Sequence, residues 1–541
     1  MIKSKSYWFV IFVLLIFLGL GFFGCEEEEK QNEDQGITPQ ESFQKIISDL
    51  LSKWNIPGAA IALVKDDRLV LAQGYGQADK ENNQHVTAVS LFRIASLSKP
   101  ITAVTVLKLF EDGLLDLDEK VFSILSDLHP PESSIVDPRL YDITVRDLLR
   151  HSGGWDKEVS FDPMFRSREI AEAMGVQSPP SSEIIIRYMM GQQLDFSPGE
   201  RYAYSNFGYC VLGRVIERVT GENYESYTRT NVLKPMGISC MSIGHTLLED
   251  RAKNEVRYYD YPGAPLALPV FLEFPQLVEW PYGGFYLEAM DANGGWIASV
   301  VDLMRFITAV DGHTGRSDLL QLATIELMVS RPELSDWKNS DYYYGLGWLV
   351  RPIGSEANWW HTGSLPGTAT ILVRTYHGLA WAALFNSWPF DQNTFMSELD
   401  NALWQAVNGI TAWPSFDLFE NYPNLALDQE LSPSYIYREY ERTEIKRKLL
   451  HDLPLLIREA KIRHKLVKGR PSGLEITKLP RECIIFDLGF RRNDIISEIN
   501  GKPLNSLGIL FALYCMLESE NRIEVKLERN RYHICMVFIL S

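Results

Sequence analysis

The order of apolar and polar positions after residue 37 predicts a regular opening to the folded part of the chain. Thr38-Pro39-Gln40-Glu41 combines an N-cap hydroxyl, a proline at the first helical position and a capping-box acid. A stripe of apolar residues at helical spacing follows, and Ile56-Pro57-Gly58 ends it. The stripe consists of Phe43, Ile46, Ile47, Leu50, Leu51 and Trp54. We therefore predict a helix that packs through one face.

Strand-like runs occur near both ends of a large body. Early in the chain, Lys65-Asp66-Asp67 separates the apolar runs Ala59–Val64 and Arg68–Gly76, which predicts a β-hairpin. The later runs are Tyr344–Val350, Thr370–Thr375 and Leu379–Asn386. A long region of helical patterns lies between the two sets. This order predicts an α+β domain with a cleft between sheet and helices.

Length and charge divide the chain further. Its 541 residues exceed what one core usually organises, and 46% of them are apolar, so a globular protein with several domains is expected. The net charge is −17, yet residues 431–541 carry 20 basic against 14 acidic side chains. We place a domain boundary near residue 430. The acidic remainder excludes nucleic acid as an expected partner, because a phosphate backbone binds a basic surface.

The cysteines give no sign of a metal cluster or a disulfide framework. Cys25 stands apart, and the remaining five form no Cys-x-x-Cys pair. These five are Cys210, Cys240, Cys483, Cys515 and Cys535. Buried free thiols are the expected state.

The first residues have the order of an export signal. Lys3 and Lys5 precede the apolar run Tyr7–Phe23, which ends at Gly24-Cys25 before four glutamates. Residues 1–25 resemble a bacterial lipoprotein signal in which Cys25 is lipidated, although Phe22 replaces the usual leucine. An uncleaved membrane anchor is the alternative. Either interpretation places the protein in the cell envelope, extracytoplasmic and membrane-anchored, with residues 26–37 as an acidic tether.

Ser-x-x-Lys, a pairing of nucleophile and base, occurs three times. The copy at 42–45 lies in the first predicted helix, where its residues are expected at the solvated surface, and the copy at 335–338 lies in a polar stretch. Ser96-Leu97-Ser98-Lys99 differs, because Pro100 and an apolar stripe predict that a helix begins there. Lys99 then follows Ser96 by one turn on the same face. A serine needs a neighbour that takes its proton, and lysine does so only when its pKa is lowered.

Two further motifs have one chemically plausible copy each. Tyr204-Ser205-Asn206 lies in a turn that leads into a helix, whereas Tyr422-Pro423-Asn424 lies in a proline-containing stretch. His361-Thr362-Gly363 precedes a predicted strand, whereas His313-Thr314-Gly315 falls in a polar break. A strand edge presents backbone amides to an oxyanion more rigidly than a loop does. The copies at 204–206 and 361–363 are therefore the candidates.

The three motifs in this order resemble the serine β-lactamase and penicillin-binding-protein family, in particular its class C-like branch of esterases and D-peptidases. The flanking stretches also match: Leu148–Gly154, Gly294–Trp296 and Tyr344–Trp348. The resemblance covers residues 38–410. It implies the β-lactamase/transpeptidase-like fold, an antiparallel sheet flanked by helices plus a helical region.

The resemblance also implies roles for individual residues. Ser96 would be the nucleophile, Lys99 its base and Tyr204 the proton shuttle to the leaving group. The implied substrate-binding residues are Asn206, His361, Thr362 and Gly363. The backbone amides of Ser96 and Ser364 would form the oxyanion hole. The product is an acyl-enzyme that water hydrolyses, with no metal and no cofactor.

One departure from the family bears on the substrate. β-Lactamases and transpeptidases have lysine where His361 stands, and histidine is mostly neutral at pH 7. We therefore expect a neutral ester or a D-amino-acid peptide or amide in preference to penicillin. The alternatives are a β-lactamase or a D-Ala-D-Ala carboxypeptidase. His151-Ser152-Gly153-Gly154 is interpreted as a structural turn.

The tail, residues 441–541, resembles a PDZ domain of the bacterial type II secretion kind. The resemblance rests on Gly473–Thr477, Leu488–Ile496 and Ile499–Leu504, with Asn500-Gly501 as a hairpin turn. It implies a small β+α domain that binds a peptide or protein at the strand edge Leu474–Leu479, beside a helix from Ser506. Residues 411–440 are the predicted linker. Alternatively, this module only packs on the body or supports oligomers, or the chain is a catalytically inactive PDZ scaffold.

Overall fold

The structure is a computed structural model, and it describes most of the chain after residue 35. The described residues are 36–132, 134–272, 274, 276–422, 434–467, 470–480, 483–488, 490, 494–500, 502–503, 520, 522–529 and 532–540. The signal segment 1–25 with Cys25, and the tether up to residue 35, lie outside them.

The body, residues 36–422, contains helices and strands in mixed order. Its helices are α1 (Pro39–Trp54), α2 (Ser98–Glu111), α3 (Val121–Ile124), α4 (Val145–Leu149), α5 (Ser167–Met174), α6 (Ser182–Met190), α7 (Asn206–Thr220), α8 (Tyr224–Thr228), α9 (Asp291–Gly294), α10 (Val300–Ile307), α11 (Leu322–Met328) and α12 (Gln392–Asn408). Its strands are β1 (Gly58–Lys65), β2 (Arg68–Asp79), β3 (Gln84–His85), β4 (Phe92–Arg93), β5 (Ser242–Ile243), β6 (Trp296–Ala298), β7 (Tyr343–Tyr344), β8 (Leu349–Ile353), β9 (Glu356–Leu365), β10 (Thr368–Arg374) and β11 (Leu379–Phe385).

Eight strands form the main sheet, in the order β3-β2-β1-β11-β10-β9-β8-β7. Each neighbouring pair is antiparallel, and β1 joins the early strands to the late ones through the register Ala59↔Phe385. Helices α1 and α12 pack on one face, while α2 and the intervening helical region share a larger core with the other. The predicted α+β architecture is confirmed.

The first helix follows its local sequence closely. The Thr38 hydroxyl accepts a hydrogen bond from the Glu41 amide, and the Glu41 carboxylate accepts one from the Thr38 amide. The helix ends at Asn55, which has the left-handed conformation. Phe43, Ile47, Leu50 and Leu51 are buried. The predicted hairpin is also present as β1 and β2.

Strand β9 was not among the predicted strands. Its exposed and buried positions alternate, as expected at a half-buried sheet position, but the adjacent Trp359 and Trp360 hide that alternation in the sequence. The predicted strand Tyr344–Val350 is also interrupted, because Gly347 adopts a φ of 90° between β7 and β8.

A second sheet follows, in the described part of residues 434–540. It comprises the helices α13 (Arg442–Glu459) and α14 (Ile484–Asp487) and the strands β12 (Ser434–Tyr440), β13 (Lys461–Val467), β14 (Arg470–Lys478), β15 (Ile495–Ile499), β16 (Lys502–Pro503), β17 (Arg522–Arg529) and β18 (Tyr532–Leu540). The strand order is β12-β18-β17-β15-β14-β13, with β16 paired to β15.

The predicted peptide-binding edge in this sheet is wrong. Residues 474–478 belong to β14, and β14 is paired with β13 on one side and β15 on the other. The reason is that residues 461–467, which carried no prediction, form a strand and occupy the edge. The accompanying helix from Ser506 lies outside the described residues.

The predicted linker, 411–440, is too wide at both ends. The Thr411 hydroxyl accepts a bond from the Ile37 amide at 2.7 Å, Asp417 forms an ion pair with Arg316, and Phe419 is buried in the core of the body. At the other end, residues 434–440 form β12. Residues 411–422 therefore complete the body.

Three free cysteines lie in the described part of the chain. Cys210 and Cys483 are buried, and Cys240 is exposed, contrary to the expectation that it is buried. Nowhere in the described ranges do three or more His, Cys, Asp or Glu side chains gather as metal ligands. None of the helices described above is both long enough and apolar enough to cross a membrane.

Candidate active site

Ser96 lies where the chain enters α2, a helix whose residues are mostly buried. It sits in the 3₁₀ turn Ala95–Leu97, directly before α2, so the predicted helix begins two residues later than expected. Ala95 has a φ of 49°, an uncommon conformation for a residue with a Cβ. Strain of this kind is found where a fold fixes a side chain in a particular direction. In this chain the strained residue, Ala95, directly precedes Ser96.

Lys99 is fully buried beside Ser96. Its Nζ lies within hydrogen-bond distance of three oxygens: the Ser96 Oγ at 3.1 Å, the Asn206 Oδ1 at 2.7 Å and the backbone carbonyl of Asn293 at 2.8 Å. The carbonyl and the amide oxygen only accept hydrogen bonds, so in the neutral amine they take both N–H groups. The lone pair then faces the Ser96 hydroxyl. In this arrangement the Lys99 amine is able to accept the Ser96 proton.

Burial also supplies the neutral amine. Removal from water lowers the pKa of Lys99 well below the ordinary lysine value. The Asp162 carboxylate opposes this effect, and the positive charge of Lys157 adds to it. Both requirements for a lysine base, proximity to the serine and a lowered pKa, are therefore met by the same buried position.

Tyr204 lies close to both Ser96 and Lys99. Its ring centroid is 4.8 Å from the Lys99 Nζ, and its phenol hydrogen-bonds the Ser96 side chain. Burial raises the pKa of Tyr204 well above its usual range, and the bond with Ser96 offsets only part of this rise. The phenol thus keeps its proton at neutral pH and is able to donate it. Ser96, Lys99 and Tyr204 converge as predicted.

Asn206 is bound to protein groups at both ends of its amide. Besides accepting from Lys99, it donates through Nδ2 to the Asp162 Oδ2 at 2.6 Å. It is the first residue of α7, which Ser205 caps by accepting from the Gly208 amide. The geometry therefore shows Asn206 as a hydrogen-bond partner of Lys99 and Asp162, and one N–H of its amide takes no part in these two bonds.

Asp162, which contacts Asn206, was not among the site residues predicted from the sequence. Its Oδ1 caps a 3₁₀ turn by accepting from the Met164 amide at 3.1 Å, and burial raises the pKa of its carboxyl. The Asp162-Pro163 pair does signal a capped turn, because aspartate followed by proline is a typical helix start. Nothing local in the sequence indicates that this cap reaches Asn206, 44 positions away.

Strand β9 brings His361, Thr362 and Gly363 alongside the nucleophile. A Cβ at Gly363 would lie 2.3 Å from the Thr370 Oγ1, 2.5 Å from the Ile94 carbonyl oxygen and 3.0 Å from the Ser96 amide nitrogen. Only glycine allows β9 to come this close to Ser96. Ser364 follows at the exposed end of the strand, where its hydroxyl donates to Gln392 at 2.7 Å.

His361 points into the protein. Its Nδ1 lies 2.6 Å from the Thr362 carbonyl, which only accepts, so Nδ1 carries the proton and Nε2 accepts from the Tyr344 hydroxyl at 3.0 Å. Burial lowers the pKa of His361 to about 3. The ring is therefore neutral at every physiological pH. Of the three residues of this motif, Thr362 is half-buried and the other two are buried.

The second copies of the motifs lie in other surroundings. Ser42 donates to the carbonyl of Ala406, while Lys45 forms an exposed ion pair with Asp49. Ser335 is exposed in a 3₁₀ turn. His313 lies 3.2 Å from an Arg374 nitrogen. None of these four is hydrogen-bonded to the Ser96 site in the described structure.

Comparison with known proteins agrees with this geometry. The family model described as Beta-lactamase matches residues 43–401, a range that includes the three motifs and the main sheet. The chain belongs to the beta-lactamase family. This family consists of serine hydrolases, and the fold described above is its β-lactamase/transpeptidase-like fold. The C-terminal sheet lies outside the match.

Individual relatives are distant. Protein flp of Staphylococcus aureus (strain N315) is 28% identical over 226 residues, and the match spans 42% of this chain and 42% of that protein's length. Penicillin-binding protein 4* of Bacillus subtilis (strain 168) is 26% identical over 339 residues, 61% of this chain and 68% of that one. The D-amino acid amidase of Ochrobactrum anthropi SV3, solved with D-phenylalanine, is 25% identical with a TM-score of 0.53. It covers 68% of this chain and 99% of its own.

Proposed function

We propose that the chain is a serine hydrolase that acts through an acyl-enzyme on Ser96. One observation carries the proposal: the buried Lys99 amine lies 3.1 Å from the Ser96 hydroxyl, and its other two bonds are to obligate acceptors. A scaffold without catalysis has no need to bury a lysine in this state, because burial of a charged amine costs several kcal/mol unless the amine loses its proton. The intact arrangement disfavours an inactive PDZ scaffold.

The chemistry of the first half-reaction follows from the geometry. The neutral Lys99 amine takes the proton of Ser96 as its oxygen attacks the carbonyl carbon of the substrate. The backbone amides of Ser96 and Ser364 are the proposed donors to the resulting oxyanion. The bond to the leaving group then breaks as that group takes the Tyr204 proton, and Tyr204 regains a proton from the Lys99 ammonium. The products are the acyl-Ser96 ester and the protonated leaving group.

Water completes the cycle. It loses a proton to the same Lys99 and Tyr204 pair as its oxygen adds to the acyl carbon. The Ser96 oxygen leaves and takes a proton back, so the net products are a carboxylic acid and free enzyme. Each step uses side chains that are within contact of Ser96.

For the substrate, we propose a neutral ester or a D-amino-acid peptide or amide. The support is the neutral state of the buried His361, which offers no ammonium to a substrate carboxylate. The relative solved with D-phenylalanine is named as a D-amino acid amidase, which agrees with this substrate class. Turnover of β-lactams or of D-Ala-D-Ala peptides is the alternative activity.

Intact-mass spectrometry across a panel tests both proposals. Purified protein is mixed with p-nitrophenyl esters, D-amino-acid amides and β-lactams, and the mass added to the chain is measured. The expected result is a transient acyl adduct with the first two classes, abolished by Ser96→Ala. Ser335→Ala, in the exposed copy of the same motif, is the matched control and keeps the adduct. Absence of any Ser96-dependent adduct across the panel would refute the hydrolase proposal.

We also propose that Cys25 anchors the protein in the cell envelope as a lipoprotein. The support is the charged, apolar and small-residue order of residues 1–25. In the native host, labelling with an alkyne-palmitate is expected to mark the protein, and Cys25→Ala is expected to lose the label. A labelled Cys25→Ala protein would contradict lipidation at this residue.

A docking role for the C-terminal module remains a second candidate. It is favoured by the position of β13 at the end of the sheet, where β14 is its one partner among the described strands. An extended peptide can add to such an edge through its backbone. Hydrogen exchange on the full chain is expected to show protection of residues 461–467 when a binding peptide is added. Protection elsewhere, with 461–467 unchanged, would exclude this edge.

A further inference from the structure

The turn His151-Ser152-Gly153-Gly154 has a role beyond that of a bend. His151 is 1% exposed and lies directly beneath the segment that carries Tyr204. Its backbone carbonyl accepts from the Ala203 amide at 2.8 Å, and its Nδ1 accepts from the Ser205 amide at 3.1 Å. The residues on both sides of Tyr204 are thus hydrogen-bonded to one histidine.

The ring of His151 also packs against the ring of Tyr204. Its centroid is 4.4 Å from that of the Tyr204 ring, while Tyr209 and Tyr344 enclose the imidazole at 5.1 and 4.6 Å. Because Nδ1 accepts a hydrogen bond, the neutral ring carries its proton on Nε2. Burial lowers the pKa of His151 well below its usual value, so this neutral state is kept.

The backbone of His151 is itself specialised. Its φ of 59° lies in the left-handed region, which asparagine and histidine tolerate better than most residues. This conformation lets the carbonyl and the ring of one residue reach the same short segment. A packing residue does not require two hydrogen bonds that flank a single side chain.

We propose that His151 is a positioning residue that holds the Tyr204 phenol over Ser96 and the leaving group. The proposal rests on the hydrolase function proposed above and gives His151 no contact with substrate. A small displacement of Tyr204 would impair protonation of the leaving group, while leaving the attack of Ser96 largely intact. The effect of the His151 variants must therefore depend on how much the leaving group needs a proton.

Two esters with the same acyl group make this dependence measurable. p-Nitrophenyl butyrate releases a phenolate that needs little help, whereas ethyl butyrate releases an alkoxide that must be protonated. The quantity measured is kcat/KM, which reports acylation. The variants are His151→Phe, which keeps a ring but no acceptor, and His151→Asn, whose Oδ1 takes the place of Nδ1 and which accepts the left-handed φ. Tyr204→Phe gives the pattern for full loss of the phenol.

For His151→Phe, we expect kcat/KM on ethyl butyrate to fall about 10- to 100-fold, part of the range for a general acid, with a change on p-nitrophenyl butyrate within about threefold. His151→Asn is expected to stay within about threefold of wild type on both esters, by the same comparison. Thermal unfolding and near-UV circular dichroism verify the fold. If His151→Phe does not fold, His151→Gln replaces it, because its acceptor lies one methylene too far away.

Equal losses on the two esters, or failure of His151→Asn to restore the ethyl ester activity, would overturn the positioning role. These outcomes leave the Ser96 adduct of the wild type intact and so differ from failure of the proposed function. A wild-type protein without Ser96-dependent turnover overturns both.

Discussion

Strand β9 passes close to Ser96 at Gly363, and substitution of Gly363 tests this close approach. Alanine adds one methyl group at this position. The new Cβ would lie 2.3 Å from the Thr370 Oγ1, 2.5 Å from the Ile94 carbonyl oxygen and 3.0 Å from the Ser96 amide nitrogen. Real Cβ atoms essentially never approach a neighbour to less than 3.0 Å, so β9 must move.

The size of the movement follows from these distances. Rotation of Thr370 relieves the first contact, but Ile94 contributes a backbone atom that cannot rotate away. Clearing it requires a displacement of at least 0.5 Å, the difference between 2.5 and 3.0 Å. A displacement of about 1 Å at a reacting centre costs about 100-fold in rate, so a displacement of about 0.5 Å is expected to cost about 10-fold. Overpacking of this kind also lowers the free energy of unfolding by about 1–3 kcal/mol.

The assay is the acylation burst with p-nitrophenyl butyrate, followed by stopped-flow absorbance, together with urea unfolding. Gly363→Ala is expected to acylate at least about 10-fold more slowly, and additional removal of the Thr370 hydroxyl is expected to give no recovery. Gly208→Ala is the matched control, because its Cβ would meet nothing closer than 3.6 Å and alanine favours a helix. Wild-type acylation by a stably folded Gly363→Ala protein would refute the proposed contact between β9 and Ser96.

The remaining predictions concern charge and buried polar groups. Lys99→Arg is expected to lose at least about 100-fold in acylation at pH 7–9, because a guanidinium keeps its proton; activity near wild type would exclude Lys99 as the base. Asp162→Asn removes a charge that raises the pKa of Lys99, so the acidic limb of kcat/KM should move to lower pH, and an unmoved limb would contradict the link. The His361 ring binds a proton below about pH 6.5 in the unfolded chain but only below about pH 3 in the folded chain. The free energy of unfolding should therefore fall by about 2 kcal/mol between pH 6.5 and 5, and His361→Asn should lose this part of the slope measured in urea. Asn386→Ala should lower the free energy of unfolding, measured in urea, by about 2–4 kcal/mol, because the buried Asn386 side chain accepts from the Gly58 amide and donates to the Gln77 and Arg257 carbonyls. A loss below about 1 kcal/mol would contradict this.

Features that depend on neighbours in the sequence were predicted well. Three features follow from about twenty consecutive residues or fewer, which is the range of the local sequence patterns. They are the capping box at Thr38, the hairpin of β1 and β2, and the one-turn separation of Ser96 and Lys99. The three motifs, in their order, were sufficient to indicate the family. The large helical region between the early and late strands was also indicated correctly.

Features that depend on tertiary contacts were not. Lys99 and Asn206 are 107 positions apart, and the carbonyl of Asn293 is a backbone atom with no signature in the sequence. The inward orientation of His361 depends on Tyr344 in the neighbouring part of the sheet. For the C-terminal module, the edge was misplaced because the pairing partner of a strand is decided by the whole sheet and not by its own pattern.

The bonds among the polar side chains bear on the choice of substrate. Asn206 is bound to Lys99 and Asp162, and His361 is bound to Tyr344 and the Thr362 carbonyl, so most of their hydrogen-bonding capacity is used within the protein. The exposed Lys157, 5.9 Å from the ring centroid of Tyr204, lies within ion-pair distance of Glu158 at 3.7 Å.

A substrate carboxylate entering this site would lose hydration while the buried amine beside it must be neutral to act as a base. A neutral acyl group has no such penalty and needs only donors for its carbonyl oxygen. Backbone amides beside Ser96 can supply those donors because Gly363 brings β9 to the nucleophile. This difference supports the proposal that the substrate is a neutral ester or a D-amino-acid peptide or amide.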